Sequence, residues 1–123
     1  MSGPGTRMAL VTLDIERVAR TFDRFPGRCE TRWFTPAEQA YCRARRNAAQ
    51  HFAVRLAAKF GVVRVLGAQR LTEVEVVRDA AGAPRIALSG AAERARVAAA
   101  TRLCLSLSHD GGVAVALVVG EVE

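Results

Sequence analysis

Hydrophobic positions along the chain run together or alternate in five short stretches that are typical of β-strands. The first is a β-branched apolar run that ends at Asp14, and the last two are separated by a polar turn. Residues 73–78 alternate apolar and polar positions before a turn and a short return stretch, which predicts a hairpin. The predicted strands are residues 8–15, 73–78, 85–88, 103–108 and 113–119.

Four other stretches place their apolar residues at helical spacing. The letters T-P-A-E at 35–38 form a capping box with proline in the first turn, which predicts a helix start. The longest helix is capped by Asn47 and ends near Gly67. The predicted helices are residues 16–25, 35–45, 47–67 and 91–100.

The longest helix has two different faces. One face is an apolar stripe that should pack on the core, formed by Phe52, Leu56, Phe60 and Val63. A second face carries residues that step by four, so that their polar ends stack, namely His51, Arg55 and Lys59.

The element order β-α-α-α-β-β-α-β-β predicts an α+β domain in which a mainly antiparallel sheet packs on a long helix. A chain of 123 residues supplies one core, so residues 8–123 are predicted to form a single domain. Small residues and turn formers dominate residues 1–7, which are predicted to be a disordered N-terminus. No apolar run reaches the roughly 18 residues that span a bilayer, and no membrane partner is expected.

The chain is basic, with a formal net charge of +6. Lys59 is the only lysine among 18 lysine and arginine residues, so the other 17 are arginines. This charge favours an acidic partner such as a polyphosphate ligand, an acidic protein or nucleic acid. Nucleic acid is the least favoured of these, because no binding motif or aromatic platform accompanies the arginines. Three cysteines, an odd number without metal-ligand spacing, predict reduced thiols and a cytoplasmic protein.

Four segments carry motifs in a consistent order. They read L-D-I-E-R-V-A-R at 13–20, F-T-P-A-E-Q-A-Y-C at 34–42, R-L-A-A-K-F-G-V-V-R-V-L-G at 55–67 and S-L-S-H-D at 106–110. The third resembles the R-F-A-A-K-E-A-x-x-K-A-[LF]-G helix of holo-acyl-carrier-protein synthases, and the others are similar to further motifs of that family. These enzymes are small phosphopantetheinyl transferases that prime carrier proteins from coenzyme A. The resemblance covers nearly the whole chain after residue 7.

The resemblance implies a phosphoryl transfer in which a carrier-protein serine attacks the β-phosphate of coenzyme A and displaces 3′,5′-adenosine diphosphate. In the family a magnesium ion is held by a strand aspartate, matched by Asp14, and by a helix glutamate, whose place Phe60 takes. Carrying the motifs over implies catalytic roles for Asp14, Lys59 and His109, and contacts to coenzyme A from Arg55, Lys59, Arg64 and His109. Family members also form homotrimers with clefts between subunits.

Arginines at helical spacing line one face of the first predicted helix. Arg17, Arg20 and Arg24 follow each other at i, i+3 and i+7. A solvated basic face is the ordinary interpretation of such a run. The family docks its acidic acyl carrier protein on this helix, so the resemblance implies a docking patch at the same three residues.

Departures from the family pattern cluster at the predicted chemistry. Phe60 cannot ligate a metal, Arg17 replaces a glutamate, and Thr12 replaces a glycine. The loop at 68–71 is shorter than the glycine-containing loop of the family. One carboxylate at Asp14 should hold Mg²⁺ weakly, because the ion needs more anionic oxygen support.

Simpler interpretations exist for the three motif residues that matter most. Asp14 can serve only as a cap for the following helix, Phe60 can be ordinary core, and His109 can be a turn residue. Two functions therefore stand side by side. One is a phosphopantetheinyl transferase acting on a carrier protein of fatty-acid or polyketide biosynthesis. The other is a repurposed protein that binds a carrier protein, or its acyl chain against Phe60, without transfer.

Overall fold

The structure, a computed structural model, describes residues 5–123. Its core elements are five helices and five strands, with a short 3-10 helix at Leu71–Glu73. The strands are β1 (Thr6–Asp14), β2 (Val74–Arg78), β3 (Pro84–Leu88), β4 (Thr101–Asp110) and β5 (Val113–Val122). The helices are α1 (Ile15–Arg24), α2 (Arg28–Trp33), α3 (Pro36–Arg43), α4 (Ala48–Leu66) and α5 (Gly90–Ala98).

Three strands form one antiparallel sheet in the order β1-β5-β4, and β2 and β3 form a separate antiparallel hairpin. In the three-stranded sheet Asp14 lies opposite Val113, which in turn lies opposite Asp110. The next row joins Leu13, Ala114 and His109 in the same way. The register therefore brings the end of β1 and the end of β4 to the same edge of the molecule.

Helix α4 crosses the inner face of the sheet at close range. A Cβ atom on Gly61 would lie 2.5 Å from Cγ2 of Val118, so only glycine allows this approach. Ala57 and Ala58 are fully buried beside it. The predicted stripe of α4 is buried at Phe52 and Leu56 and half-buried at Phe60 and Val63. The rest of the helix is also largely buried, because α1, α3 and β2 contact its other sides. The α+β prediction is confirmed.

The outer face of the three-stranded sheet is uncovered in the single chain. Strand β1 buries Ala9 and Val11 on its inner face, whereas Met8 and Leu10 on the other face are 68% and 61% exposed. The thiol-bearing residue Cys104 on β4 is exposed as well. A sheet of this kind normally hides one face in a core and shows polar residues on the other. Here the outward positions of β1 are apolar.

Local signals for the third helix are confirmed in detail. The Thr35 hydroxyl accepts a hydrogen bond from the backbone N–H of Glu38 at 3.2 Å. The Glu38 carboxylate accepts one from the backbone N–H of Thr35 at 2.9 Å, which completes the capping box. The three cysteines are free thiols, as predicted. No helix within residues 5–123 combines the length and apolar character needed to cross a membrane.

Two boundaries differ from the prediction. Strand β1 begins at Thr6 rather than residue 8, because Thr6 and Arg7 pair with Glu121 and Gly120 of β5. The predicted disorder of residues 1–7 is therefore wrong for Thr6 and Arg7, while residues 1–4 lie outside the described part of the chain. Helix α2 was not predicted, since six residues are too few to show a period.

The turn between the last two strands is also shorter than predicted. Strand β4 continues through His109 and Asp110, and the turn consists of Gly111 and Gly112, whose φ angles are +56° and +81°. Glycine tolerates these positive values without a steric penalty. The interpretation of His109 as an ordinary turn residue is therefore wrong, because its register in the sheet fixes its position.

Candidate active site

The end of β1 leads directly into α1 at Asp14. The Asp14 carboxylate accepts a hydrogen bond from the backbone N–H of Arg17 at 3.2 Å, through Oδ1, and so caps the helix. The backbone N–H of Ile15 donates to the carbonyl of Gly112 at 2.9 Å, which ties the β4–β5 turn to the start of α1. The Asp14 side chain remains exposed. Capping, one of the two roles considered for Asp14, is therefore present.

A small pocket opens beside Asp14 and Arg17. Its volume is about 160 Å³, close to that of engineered apolar cavities that bind benzene. Most of its wall is apolar and is formed by α1, α2, β1 and α4 side chains, including Leu13, Phe22, Trp33 and Leu56. The pocket thus combines one carboxylate and one guanidinium with a hydrophobic interior.

His109 borders a second cleft at the same edge of the sheet. Its Nε2 atom lies 3.0 Å from Nε2 of Gln50 in the first turn of α4. The cleft has a volume of about 470 Å³ and also contacts Arg46. Within the described residues, the first turn of α4 has no acidic side chain and Asn47 makes no capping hydrogen bond. The positive end of the helix dipole and Arg46 therefore favour an anionic group here.

Arg55 lies in a cationic cluster around Tyr41. The Arg55 side chain is buried, its guanidinium carbon lies 4.3 Å from the Tyr41 ring centre, and Nη1 donates to the His51 carbonyl at 3.3 Å. Arg78 donates from Nε to the Tyr41 hydroxyl at 2.9 Å, and the Arg45 guanidinium carbon lies 3.9 Å from the ring centre. The Nε atom of Arg55 has no hydrogen-bond partner within residues 5–123.

The charges of this cluster affect both rings. Burial alone would raise the pKa of Tyr41, but hydrogen bonds from Arg45 and Arg78 and the nearby positive charges outweigh it, so the pKa is lowered. Burial, followed by repulsion from Arg55, lowers the pKa of His51. The cluster therefore stabilises negative charge and disfavours any further cation.

Lys59 is fully buried and its ammonium group is fully used. Nζ donates to Oε1 of Glu38 at 2.7 Å and to the carbonyls of Leu71 and Val74 at 2.8 and 2.6 Å. The other Glu38 oxygen accepts from the backbone N–H of Val76 at 2.8 Å. Burial lowers the pKa of Lys59, and the Glu38 charge opposes this shift. The pair ties α3, α4 and β2 together.

Comparison with known proteins decides the family. No family model matches the chain. The holo-[acyl-carrier-protein] synthase of Anaeromyxobacter dehalogenans is 42% identical over 121 residues, which cover 93% of this chain and 94% of that protein. The synthase of Desulforudis audaxviator is 42% identical over 120 residues, with 90% of each chain covered. The chain belongs to the holo-[acyl-carrier-protein] synthase family.

Solved structures of the same family share the fold of this synthase-family chain. The ACPS–CoA complex of Chronobacterium ammoniagenes matches with a TM-score of 0.81 and 26% identity, over 96% of this chain and 98% of that one. The acyl carrier protein synthase of Mycobacterium tuberculosis matches with a TM-score of 0.68 and 32% identity, over 97% of each chain. The predicted synthase-like fold is confirmed.

The magnesium site expected for a synthase-family member lacks the donors it needs. Phe60 is half-buried in apolar packing beside the clusters around Val76 and Phe34, and Leu56 is the α4 side chain that lines the Asp14 pocket. Within residues 5–123, no group of three or more histidine, cysteine, aspartate or glutamate side chains could hold a metal. One exposed carboxylate that also caps a helix does not fit an ion that prefers several hard oxygen ligands.

The remaining predicted synthase residues are spread over the surface. Arg64 is exposed near the end of α4. Arg20 forms an ion pair with Glu16 at 3.0 Å, and the Arg24 guanidinium carbon lies 5.6 Å from the Phe25 ring centre. Arg17, Arg20 and Arg24 are all exposed on α1. The structure therefore brings Asp14, Arg17 and His109 to one edge and leaves Lys59 in the core.

Three residues of the site were missed. Trp33 lies on the unpredicted helix α2, while Gln50 and Tyr41 carried no role in the sequence-based prediction. Gln50 gave no separate signal. Tyr41 stood within the F-T-P-A-E-Q-A-Y-C segment, and the arginines that surround it come from 4 to 37 positions away.

Proposed function

We propose that this chain transfers 4′-phosphopantetheine from coenzyme A to a serine of an acyl carrier protein. One observation carries the proposal: a synthase from A. dehalogenans is 42% identical across 93% of this chain. The basic first helix and the anion-favouring cleft beside His109 support it, because the coenzyme is a polyphosphate and carrier proteins are acidic.

The reaction places specific demands on the Asp14 edge. The serine Oγ forms a bond to the β-phosphorus, and the bond from that phosphorus to the bridging oxygen breaks. 3′,5′-Adenosine diphosphate then leaves with the bridging oxygen. The serine proton must pass to a base, and we assign this role to His109 or Asp14, which lie on adjacent rows at the same edge. Positive charge is needed where the phosphates lie.

The predicted coenzyme contacts divide by their surroundings. Arg46 and His109 border the cleft where we place coenzyme phosphates. Arg55 and Arg64 remain predictions for coenzyme contact, as does magnesium at Asp14. For Lys59 we propose a positioning role, because all three of its N–H bonds hold α3, the 3-10 helix and β2. A cytoplasmic location also remains a prediction.

A direct assay tests the transfer. The protein is incubated with coenzyme A and an apo acyl carrier protein, and intact mass spectrometry follows the mass gain of the prosthetic arm. We expect modification that is lost when the carrier serine is replaced by alanine. The absence of modification across several carrier proteins, with Mg²⁺, Mn²⁺ or no metal, would contradict the proposal.

One observation favours the second function, a protein that binds a carrier or its acyl chain without transfer. The pocket beside Asp14 is mostly apolar, and Phe60 stands where a carboxylate would serve the chemistry. An acyl-carrier protein that binds tightly without gaining or losing mass would support this alternative over transfer.

We propose that the carrier protein docks on the exposed arginines of α1. The variant Arg20→Glu/Arg24→Glu should raise the KM for the carrier about tenfold or more and leave kcat nearly unchanged, since rim charges act mainly on association. The effect should shrink at high salt. Steady-state kinetics at two ionic strengths measure this, with Arg94→Glu on exposed α5 as the matched control. An unchanged KM would remove the patch from consideration.

We also propose that the chain forms a homotrimer through the outer face of its three-stranded sheet. The support is the apolar side chains exposed there, above all Met8 and Leu10. A monomer has no other element over this face within the described residues, and burial of such side chains favours association.

A further inference from the structure

Arg17 stands at a position that ordinary helix stability does not explain. It is the third residue of α1, where the positive end of the helix dipole disfavours a cation. Within residues 5–123 it forms no ion pair, whereas Arg20 on the same helix is paired with Glu16. A charge that breaks a local rule without local compensation marks a functional position.

The pocket beside Arg17 has the opposite composition to a divalent-metal site. Asp14 is its one carboxylate, and one oxygen of that carboxylate accepts the Arg17 backbone N–H. The α4 side chains nearby are apolar, with Leu56 in the wall and Phe60 one turn further along. The local charge is therefore supplied by a guanidinium and not by an ion held between acidic groups.

We infer that Arg17 supplies the positive charge for phosphopantetheine transfer, binding the pyrophosphate of coenzyme A so that the reaction needs no divalent metal. This inference rests on the proposed transferase function. A guanidinium is always charged and presents paired N–H groups that match two phosphate oxygens. As the bond to the bridging oxygen breaks, negative charge grows on the departing 5′-phosphate, and Arg17 stabilises it. The atom balance is that of the transfer itself.

Two roles for Arg17 give different kinetics. If Arg17 only docked the carrier protein, its loss would raise the KM for the carrier and leave coenzyme affinity unchanged. If it binds the pyrophosphate, its loss lowers kcat and weakens coenzyme binding even when no carrier is present. Binding of coenzyme A to the free enzyme therefore separates the two roles.

The first arm of the test measures metal dependence of the unaltered protein. Transfer to apo carrier is followed by mass spectrometry in excess EDTA and in Mg²⁺. We expect the two rates to agree within about twofold. A rate that falls to background in EDTA and returns with Mg²⁺ would overturn the inference while supporting the proposed function.

The second arm measures Arg17 directly by calorimetry with coenzyme A in EDTA, without carrier. Arg17→Ala should weaken binding about tenfold or more and lower kcat about 100-fold. Arg17→Lys should recover part of both, and Arg94→Ala should match the unaltered protein. Unchanged coenzyme affinity and kcat in Arg17→Ala would overturn the inference.

Failure of the proposed function would look different. A protein that transfers nothing in EDTA or in any metal is no transferase, yet the calorimetric arm still decides whether Arg17 binds the pyrophosphate. Weaker coenzyme binding by Arg17→Ala would keep the assignment of Arg17 to the phosphates, and equal binding would reject it.

Discussion

Replacing Lys59 by methionine is expected to lower the free energy of unfolding by about 3–5 kcal/mol, the cost of breaking a buried ion pair from one side. The Glu38 carboxylate would stay buried without its counter-charge, and the carbonyls of Leu71 and Val74 would lose their donor. A domain of this size has roughly 5–15 kcal/mol in total, so most of its stability would be lost. Urea unfolding followed by circular dichroism measures the change.

A double variant separates the buried charge from the lost packing. Lys59→Met with Glu38→Gln leaves no unpaired charge in the core, so it should be more stable than Lys59→Met alone by about 1 kcal/mol or more. Arg94→Met on the surface of α5 should change stability by less than about 0.5 kcal/mol. A Lys59→Met protein within about 1 kcal/mol of the original would contradict the role assigned to this pair.

The burial of Lys59 shows where sequence reasoning reached its limit. Helical spacing correctly placed Lys59 on the same long helix as Arg55, but spacing alone cannot say that a polar face is covered. Burial depends on Glu38, 21 positions earlier, and on carbonyls of the segment that leads into β2. A lysine that reads as a catalytic candidate in the motif is, in the fold, satisfied by three acceptors.

Elements with strong local signals were predicted well. The capping box at 35–38, the hairpin between β2 and β3 and the long helix α4 each follow from contacts within a few residues of chain. Helix α2 and the full length of β4 were missed because neither is set by local pattern. The first has only six residues, and the second continues to Asp110 because β5 supplies partners to the end.

The candidate site was predictable only where a motif marked it. Asp14 and His109 were named from the sequence, and the register of three strands brings them to one edge. Trp33 and Gln50 join that edge through tertiary packing, which leaves no periodic trace. The poor fit to magnesium was foreseen from Phe60, and the structure adds that Leu56, not Phe60, lines the Asp14 pocket.

The exposed apolar face of the sheet leads to the second large effect, which concerns assembly. Leu10→Glu should convert the proposed trimer of 13.2 kDa chains into monomers at micromolar concentration. Leu10 is 61% exposed in the single chain, so a glutamate there is solvated and leaves the monomer fold intact. In an interface it would add one buried, unpaired carboxylate per subunit, which is costly. Size-exclusion chromatography with light scattering gives the mass.

The matched control for this change is Val97→Glu. Val97 lies on α5 and is 59% exposed, so it receives the same substitution at nearly the same exposure on a different surface. Its mass should equal that of the original protein. If Leu10→Glu also remains trimeric, the uncovered face of β1 is not the interface. Because family members have clefts between subunits, monomeric Leu10→Glu should lose transfer activity in parallel, while retaining the circular dichroism of the folded chain.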